Sequence, residues 1–194
     1  MLDETQSRIM NAAMQLIMEK GYTATTTKDI AKEAGVNECT IFRKFKGKRE
    51  IVAEAMRLPE WNPCLKESDF TYTGEPVQDL CSFSEVYFRK VTPRMVRVSL
   101  GLRSPELYGI TRDGIRQIPE TYKRVLTAYF TRLQQQGKIR TEDAEGLAVA
   151  FLAMNFGFVF FKASFGDELT ALETEEYIQS SVTHFVNGIY GRES

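Results

Sequence analysis

Residues 26–49 read TTKDIAKEAGVNECTIFRKFKGKR, and their spacing decides the fold. Ile30, Ala31 and Ala34 fall at i, i+1 and i+4, a small apolar patch on one side of a short helix. Thr26 or Thr27 can cap its start, with Asp29 near the positive end of the helix dipole. Gly35 stands where a left-handed C-cap belongs, and Val36 follows to plug the corner. Asn37 occupies a second N-cap position, and behind it Ile41 and Phe45, four apart, face inward together. Two short helices meeting steeply around a glycine turn make a helix-turn-helix.

From Phe42 to Arg49, five of eight residues are cations (Arg43, Lys44, Lys46, Lys48, Arg49) and none is acidic. A basic run alone is usually a solvated face. At the end of a recognition helix the same run can neutralise backbone phosphates, so the expected partner is double-stranded DNA.

Charge elsewhere is balanced. The 194 residues carry a net charge of −1, and residues 1–60 hold ten Lys/Arg against nine Asp/Glu, so any positive field is local to 43–49. Three cysteines, Cys39, Cys64 and Cys81, show no CxxC spacing, and the single histidine, His184, makes no metal cluster. Reduced thiols in a cytoplasm fit better than a disulfide framework. Met-Leu-Asp-Glu-Thr at the start lacks the basic and apolar regions of a signal peptide. The longest uncharged stretch, residues 146–161, is 16 residues and falls short of a membrane span, so it reads as a buried helix. No nucleophile–histidine pair, metal set or phosphate loop appears; an enzyme, a catalytic residue, a metal or a cofactor is not expected.

The rest of the chain has only helical periodicity. Residues 5–20 place Ile9, Ala12, Ala13, Leu16 and Ile17 on one face, with Gly21 as the stop. A helix starting at Lys48 carries Ile51, Val52, Ala55 and Met56 and ends near Leu58. Lys48 lies in its first turn, where an amine and backbone N–H groups can meet a phosphate together. Pro59, Pro63, Gly74 and Pro76 mark 58–75 as loop, with Trp61 as either a pocket wall or a hinge anchor. Helices are expected over 76–91 and 93–102. A loose region with Gly109 and Gly114 follows, before Pro119 opens a helix that Gly137 ends. Thr141 is a cap for the helix 144–165, which is apolar nearly all round, and an amphipathic helix covers 174–190. The fold class is all-α, divided into a head, 1–47, and a helical body, 48–194.

With these pieces in view, residues 8–56 resemble the N-terminal DNA-binding domain of the TetR family of bacterial transcriptional regulators. The match rests on Arg8-Ile9, Ala12-Ala13, Gly21-Tyr22, Thr25-Thr26-Thr27, Ile30-Ala31, Ala34-Gly35-Val36, Thr40-Ile41-Phe42, Phe45 and Lys48. The resemblance implies that Thr27 and Lys28 contact phosphate. It also implies that Asn37, Glu38 and Cys39 approach base edges while Thr40, Arg43, Lys44 and Lys48 grip the backbone. Two departures stand out. Phe42 replaces a common tyrosine and lacks its hydroxyl, which makes it a packing residue first, with a DNA contact through the ring edge second. Glu38 and Cys39 replace more usual basic and small residues; Glu38 can accept from cytosine N4 but is repelled by phosphates.

A helix apolar on every side needs cover on every side, and self-association supplies it. The resemblance places that homodimer contact on 144–165 and 174–190, and a two-fold protein implies a palindromic operator. In the body, Trp61, Phe83, Tyr87, Tyr122, Leu126, Phe151, Asn155 and Phe158 are the candidate lining for a mostly hydrophobic small-molecule effector, with Asn155 as the polar anchor. Such an effector, favouring heads wrongly spaced for the operator, would release DNA by linkage, moving the helix after Lys48 and swinging residues 26–49. The alternative is a DNA-binding protein governed by a protein partner or by oxidation of Cys39.

Overall fold

In the computed structural model the described residues are 2–139 and 143–190, and among them the regular structure is helical. The order is α1 (Glu4–Ala24), α2 (Thr27–Ala34), α3 (Glu38–Phe45), α4 (Lys48–Ala55), α5 (Pro76–Lys90), α6 (Pro93–Gly101), α7 (Tyr108–Gln135), α8 (Ala144–Phe165) and α9 (Thr174–Tyr190). One short 3-10 turn, Glu67–Asp69, interrupts the loop after α4. The chain packs as two compact units. One comprises Met1–Pro63 with Arg94–Arg116, the other Cys64–Pro93 with Gln117–Ser194. Helix α4 and residues 94–116 therefore belong by packing to the unit that holds the helix-turn-helix.

In that first unit α1 begins with a capping box between Asp3 and Gln6. Gly21, at φ 80° and ψ 164°, breaks the helical path at the expected stop, and one further turn follows. Ile9, Ala13 and Ile17 of α1 bury against Ile30 and Ala34 of α2, Ile41 and Phe45 of α3, and Ile51 and Val52 of α4. Val98 and Leu102, from α6 and the turn after it, and Leu107, just before α7, complete this core. Trp61 sits in the same core, under the Arg94 guanidinium at 4.3 Å from the ring centroid. Of the two readings for Trp61 this is the place of an anchor, in a different unit from the other candidate effector residues: after α4 the chain folds back onto α1, and the indole fills that corner.

Residues 109–118 are helical, which corrects the loose region expected there. Pro119 lies inside α7. A proline removes one N–H donor and crowds the preceding turn, but a helix held by packing carries on through it. Leu107 and Thr111 are buried, and the backbone at Gly114 runs close to Asn62 and Met56. That packing overrides the low helix propensity of the two glycines.

In the second unit α5 packs against α8 and α9. Asp143 caps α8, its Oδ1 accepting from the Gly146 N–H at 2.7 Å; Thr141, the expected cap, lies outside the described residues. Helix α8 is less covered than its composition suggests. Ala144, Ala148, Phe151, Asn155, Phe158 and Val159 form one buried stripe, while Val149, Phe156, Phe161 and Phe165 are exposed. The buried-helix expectation therefore holds for one face only. By length and composition α8 is also long and apolar enough to cross a membrane, since single charges near its ends do not interrupt its hydropathy.

Gly101 separates the two ways in which a glycine can sit in a helix. A Cβ there would overlap the carbonyl oxygen of Ile17, whereas a Cβ at Gly109 would meet nothing within 4 Å. Gly101→Ala is expected to destabilise the protein by about 1–3 kcal/mol through overpacking. Gly109→Ala should be neutral or stabilise by roughly 0.5–1 kcal/mol. Denaturant titration of both variants measures the contrast.

Candidate functional site

Both ends of α2 and the start of α3 are held by side-chain polar contacts. Thr26 caps α2 in a reciprocal box with Asp29, and the Lys20 ammonium donates to Asp29 at 2.8 Å. Lys20 first, and then the Thr26 hydroxyl, hold the Asp29 carboxyl down to about 2. At the other end Gly35 takes the left-handed angles φ 62° and ψ 42°. There the Arg8 guanidinium donates to the carbonyls of Ala34 (Nε at 3.2 Å) and Gly35 (3.1 Å). Asn37 caps α3, its Oδ1 accepting from the Cys39 N–H at 2.9 Å.

The ten side chains expected on DNA fall into two groups. Lys28, Asn37, Cys39, Phe42 and Arg43 are exposed. Lys28 and Arg43, with Lys46 and Arg49 beside them, have no ion-pair partner among the described residues. Phe42 is 51% exposed, which corrects the packing role expected for it. Ile41 and Phe45 already occupy the inward face, and the next residue along turns about 100° away from Ile41. An exposed ring suits a thymine methyl or a sugar. The second group is engaged within the protein. Lys44 pairs with Asp3 at 2.5 Å and thereby lowers the Asp3 pKa. Lys48 donates to the carbonyls of Tyr22 (2.6 Å) and Thr25 (2.5 Å), with its ammonium over the Tyr22 ring. Partial burial lowers the Lys48 pKa. Thr27 donates to Glu38 at 2.6 Å, and Thr40 is half-buried.

In the second unit the predicted effector residues do come together, but as a filled core. Phe83, Tyr87, Tyr122, Leu126, Phe151, Asn155 and Phe158 are all buried. Asn155 donates to the Tyr122 hydroxyl at 3.1 Å and to the Ser84 hydroxyl at 3.2 Å. Tyr87 stacks on Tyr122 with centroids 4.6 Å apart, and Phe158 stacks on Tyr177 at 3.9 Å. Burial pushes both Tyr87 and Tyr122 hydroxyls well up, so they act as neutral hydrogen-bonding groups.

Sequence reasoning missed two members of this core, Phe70 and Asp79, and the exposed Tyr72 at its edge. Phe70 and Tyr72, left in the loop, pack edge-on against Phe83. Asp79 is buried, accepting from the Thr73 and Gly74 N–H groups, the Thr73 hydroxyl and the Tyr129 hydroxyl at 2.6–3.0 Å. Alternating Phe70 and Tyr72 was the available signal for the first two. An acid three residues into a helix opened by Pro76 signals a cap and says nothing of burial. The concavity described in this unit, about 860 Å³, is lined by Pro76, Cys81 and Glu85 of α5 and Gln179 and Val186 of α9 and by none of the predicted effector residues; two others, about 450 Å³ at the α6–α7 turn and about 460 Å³ beside Arg8 and Trp61, lie within the first unit.

Comparison with known proteins matches this architecture along most of its length. Residues 9–55 match the model of bacterial regulatory proteins of the tetR family, and residues 82–192 match the C-terminal domain of AefR-like transcriptional repressors. The HTH-type transcriptional regulator YvkB of Bacillus subtilis is 30% identical over 187 residues, covering 95% of this chain and 97% of that protein. The chain belongs to the TetR family.

This TetR-family chain also shares its fold with NalD, the secondary repressor of the MexAB-OprM multidrug efflux pump in Pseudomonas aeruginosa. The TM-score is 0.65 at 16% identity, over 98% of this chain and 99% of that one. AibR, solved in complex with isovaleryl coenzyme A and operator DNA, aligns with a TM-score of 0.67 at 22% identity, over 93% and 97% of the two chains. The protein is thus a DNA-binding transcriptional regulator and not an enzyme.

The polar clamps of this TetR-family head give two expected outcomes. A carboxylate depressed to about 2 contributes stability above its unfolded value, and that contribution disappears as pH falls toward the folded value. The melting-temperature gap between wild type and Asp29→Asn should therefore be constant above about pH 5 and close progressively from about pH 4 to about pH 2. Lys48→Ala removes the side-chain donor from the partly buried Thr25 carbonyl and one of two donors from the Tyr22 carbonyl, which keeps the Thr25 N–H. It is expected to cost about 1–3 kcal/mol of head stability, read by denaturant titration, independently of any DNA effect.

Proposed function

We propose that the protein is a repressor that binds a palindromic operator as a homodimer and releases it on binding a mostly hydrophobic small molecule. Residues 1–47 read DNA in this scheme, and residues 48–194 bind effector and dimerise. The observation that carries the reading is the outward helix-turn-helix face, where Lys28, Arg43, Lys46 and Arg49 flank exposed Asn37, Cys39 and Phe42. Cations without protein partners are the ones able to release counterions from phosphates. Lys44 and Lys48 contribute mainly to the position of that face, and a third Lys48 N–H remains for a phosphate.

Dimerisation is supported by the uncovered side of α8. Val149, Phe156, Phe161 and Phe165 present an apolar face that a second copy would bury, with Gly157 leaving room for close approach. This use of α8 explains its composition in a DNA-bound protein better than a membrane does, and a cytoplasmic location follows. Effector control is supported by the aromatic core around Asn155, whose hydrogen bonds a ligand would exchange for its own. Because that core is filled, entry must be coupled to opening, and a ligand shifts the equilibrium only by its preference for the open form. Helix α7 begins in one unit and ends in the other, which gives such opening a continuous route toward the head. Cys39, exposed on the reading helix, favours the second reading, in which oxidation rather than a ligand releases DNA.

Replacing both Phe156 and Phe161 by Glu is expected to yield monomers in sedimentation. Operator affinity should fall roughly 100-fold or more, the gain that a linked second half-site supplies. Duplexes selected from a random pool by wild-type protein should show two-fold symmetry. A monomeric wild type, or a selected site without symmetry, would remove the dimer reading.

A further inference from the structure

Thr27 and Glu38 each open a helix, α2 and α3, and they are joined across the turn. The Thr27 hydroxyl donates to Glu38 Oε1 at 2.6 Å. Both ends of this bond are anchored independently. The start of α2 is fixed by the Thr26–Asp29 box and Lys20, and the start of α3 by the Asn37 cap. No ion pair to Glu38 exists among the described residues, so Thr27 is what orients it.

We propose that Thr27 is a positioning residue for base selection, holding Glu38 so that its carboxylate accepts from cytosine N4 in the major groove. This rests on the DNA-binding face described above. A threonine hydroxyl has one proton. While that proton is given to Glu38 it cannot go to a phosphate oxygen, which moves the Thr27 side chain from backbone gripping to specificity. An ionised carboxylate offers only acceptors. Guanine presents O6 and N7 and thymine presents O4, all acceptors that repel it; adenine presents N6–H₂ beside the acceptor N7. Cytosine presents a donor with no neighbouring acceptor on the same base. A carboxylate fixed by one hydrogen bond enforces this choice. A freely rotating one would lose most of it to side-chain entropy and to retreat from the phosphates.

The test is selection from a random duplex pool with the full-length protein, followed by affinity and salt titration on the selected duplex and its single-base variants. Wild type is expected to enrich cytosine at one position per half-site. Thr27→Val should reduce that preference about fivefold, the discrimination of roughly one hydrogen bond, with the salt slope unchanged. Thr27→Ser should restore it. Glu38→Ala should abolish it, and adding Thr27→Val to Glu38→Ala should change nothing further. Three results would overturn the proposal: a uniform loss of affinity with a shallower salt slope in Thr27→Val, an unchanged cytosine preference in either single variant, or no cytosine enrichment by wild type. Wild type that enriches no duplex at all would instead remove the DNA-binding reading, and melting curves of each variant report folding separately.

Discussion

Everything on the DNA-facing side depends on how α2 is terminated. A helix of eight residues leaves its last carbonyls without intrahelical partners; the Gly35 turn returns the Gly35 and Val36 N–H groups to Lys32 and Ala31, and the Ala34 and Gly35 carbonyls remain. Arg8, twenty-six residues upstream of Ala34, supplies the donors and places a cation at the negative end of the helix. Lys48 does the same for the carbonyls of Tyr22 and Thr25, at the corner leading into α2. The two ends of α2 are thus held by two cations drawn from α1 and α4, the helices on either side of the helix-turn-helix. The apolar core beneath, from Ile9 to Val52, packs the helices together, and these charged contacts satisfy the carbonyls at their ends.

The same economy changes the electrostatics of the face. A basic run reads as five charges, but Lys44 is paired with Asp3 and Lys48 is turned inward, so the outward field comes from Arg43, Lys46 and Arg49 with Lys28. Glu38 sits among them as an anion with its own support. In the proposed scheme such a surface holds phosphates with fewer charges than its composition offers and leaves more of the recognition to base edges. That fits a chain whose net charge is −1.

In the body, Asn155 plays the part that a water or ligand would otherwise take. Its amide joins Ser84 on α5 and Tyr122 on α7 across an aromatic layer, so each buried polar group in the set is satisfied within the protein. In the proposed scheme an effector's own polar group would take over the hydrogen bonds of this knot. The apolar stripe of α8 that faces this core and the apolar stripe that faces outward are parts of one helix, so effector entry and dimer geometry are mechanically linked in the proposed scheme.

Much of this was written in local sequence. Thr26, Gly35 and Asn37 mark helix ends because capping is decided within a few residues, and the period of Ile9 to Ile17 and of Ile41 and Phe45 marks the buried faces. The family, the all-helical fold and the grouping of Tyr87, Tyr122 and Asn155 were legible from those signals. Contacts between distant residues were not. Nothing in the local pattern shows that Trp61 folds into the head, that Lys48 turns inward, that Gly109 and Gly114 continue a helix, or that half of α8 stays bare. The sequence by itself determined the caps of α2 and α3, which faces are apolar and the family whose head the first fifty residues resemble. Only the tertiary structure decided which charges there remain free, because a side chain's donors go to whatever acceptor the fold brings within 3 Å, and that neighbour is set by packing rather than by spacing.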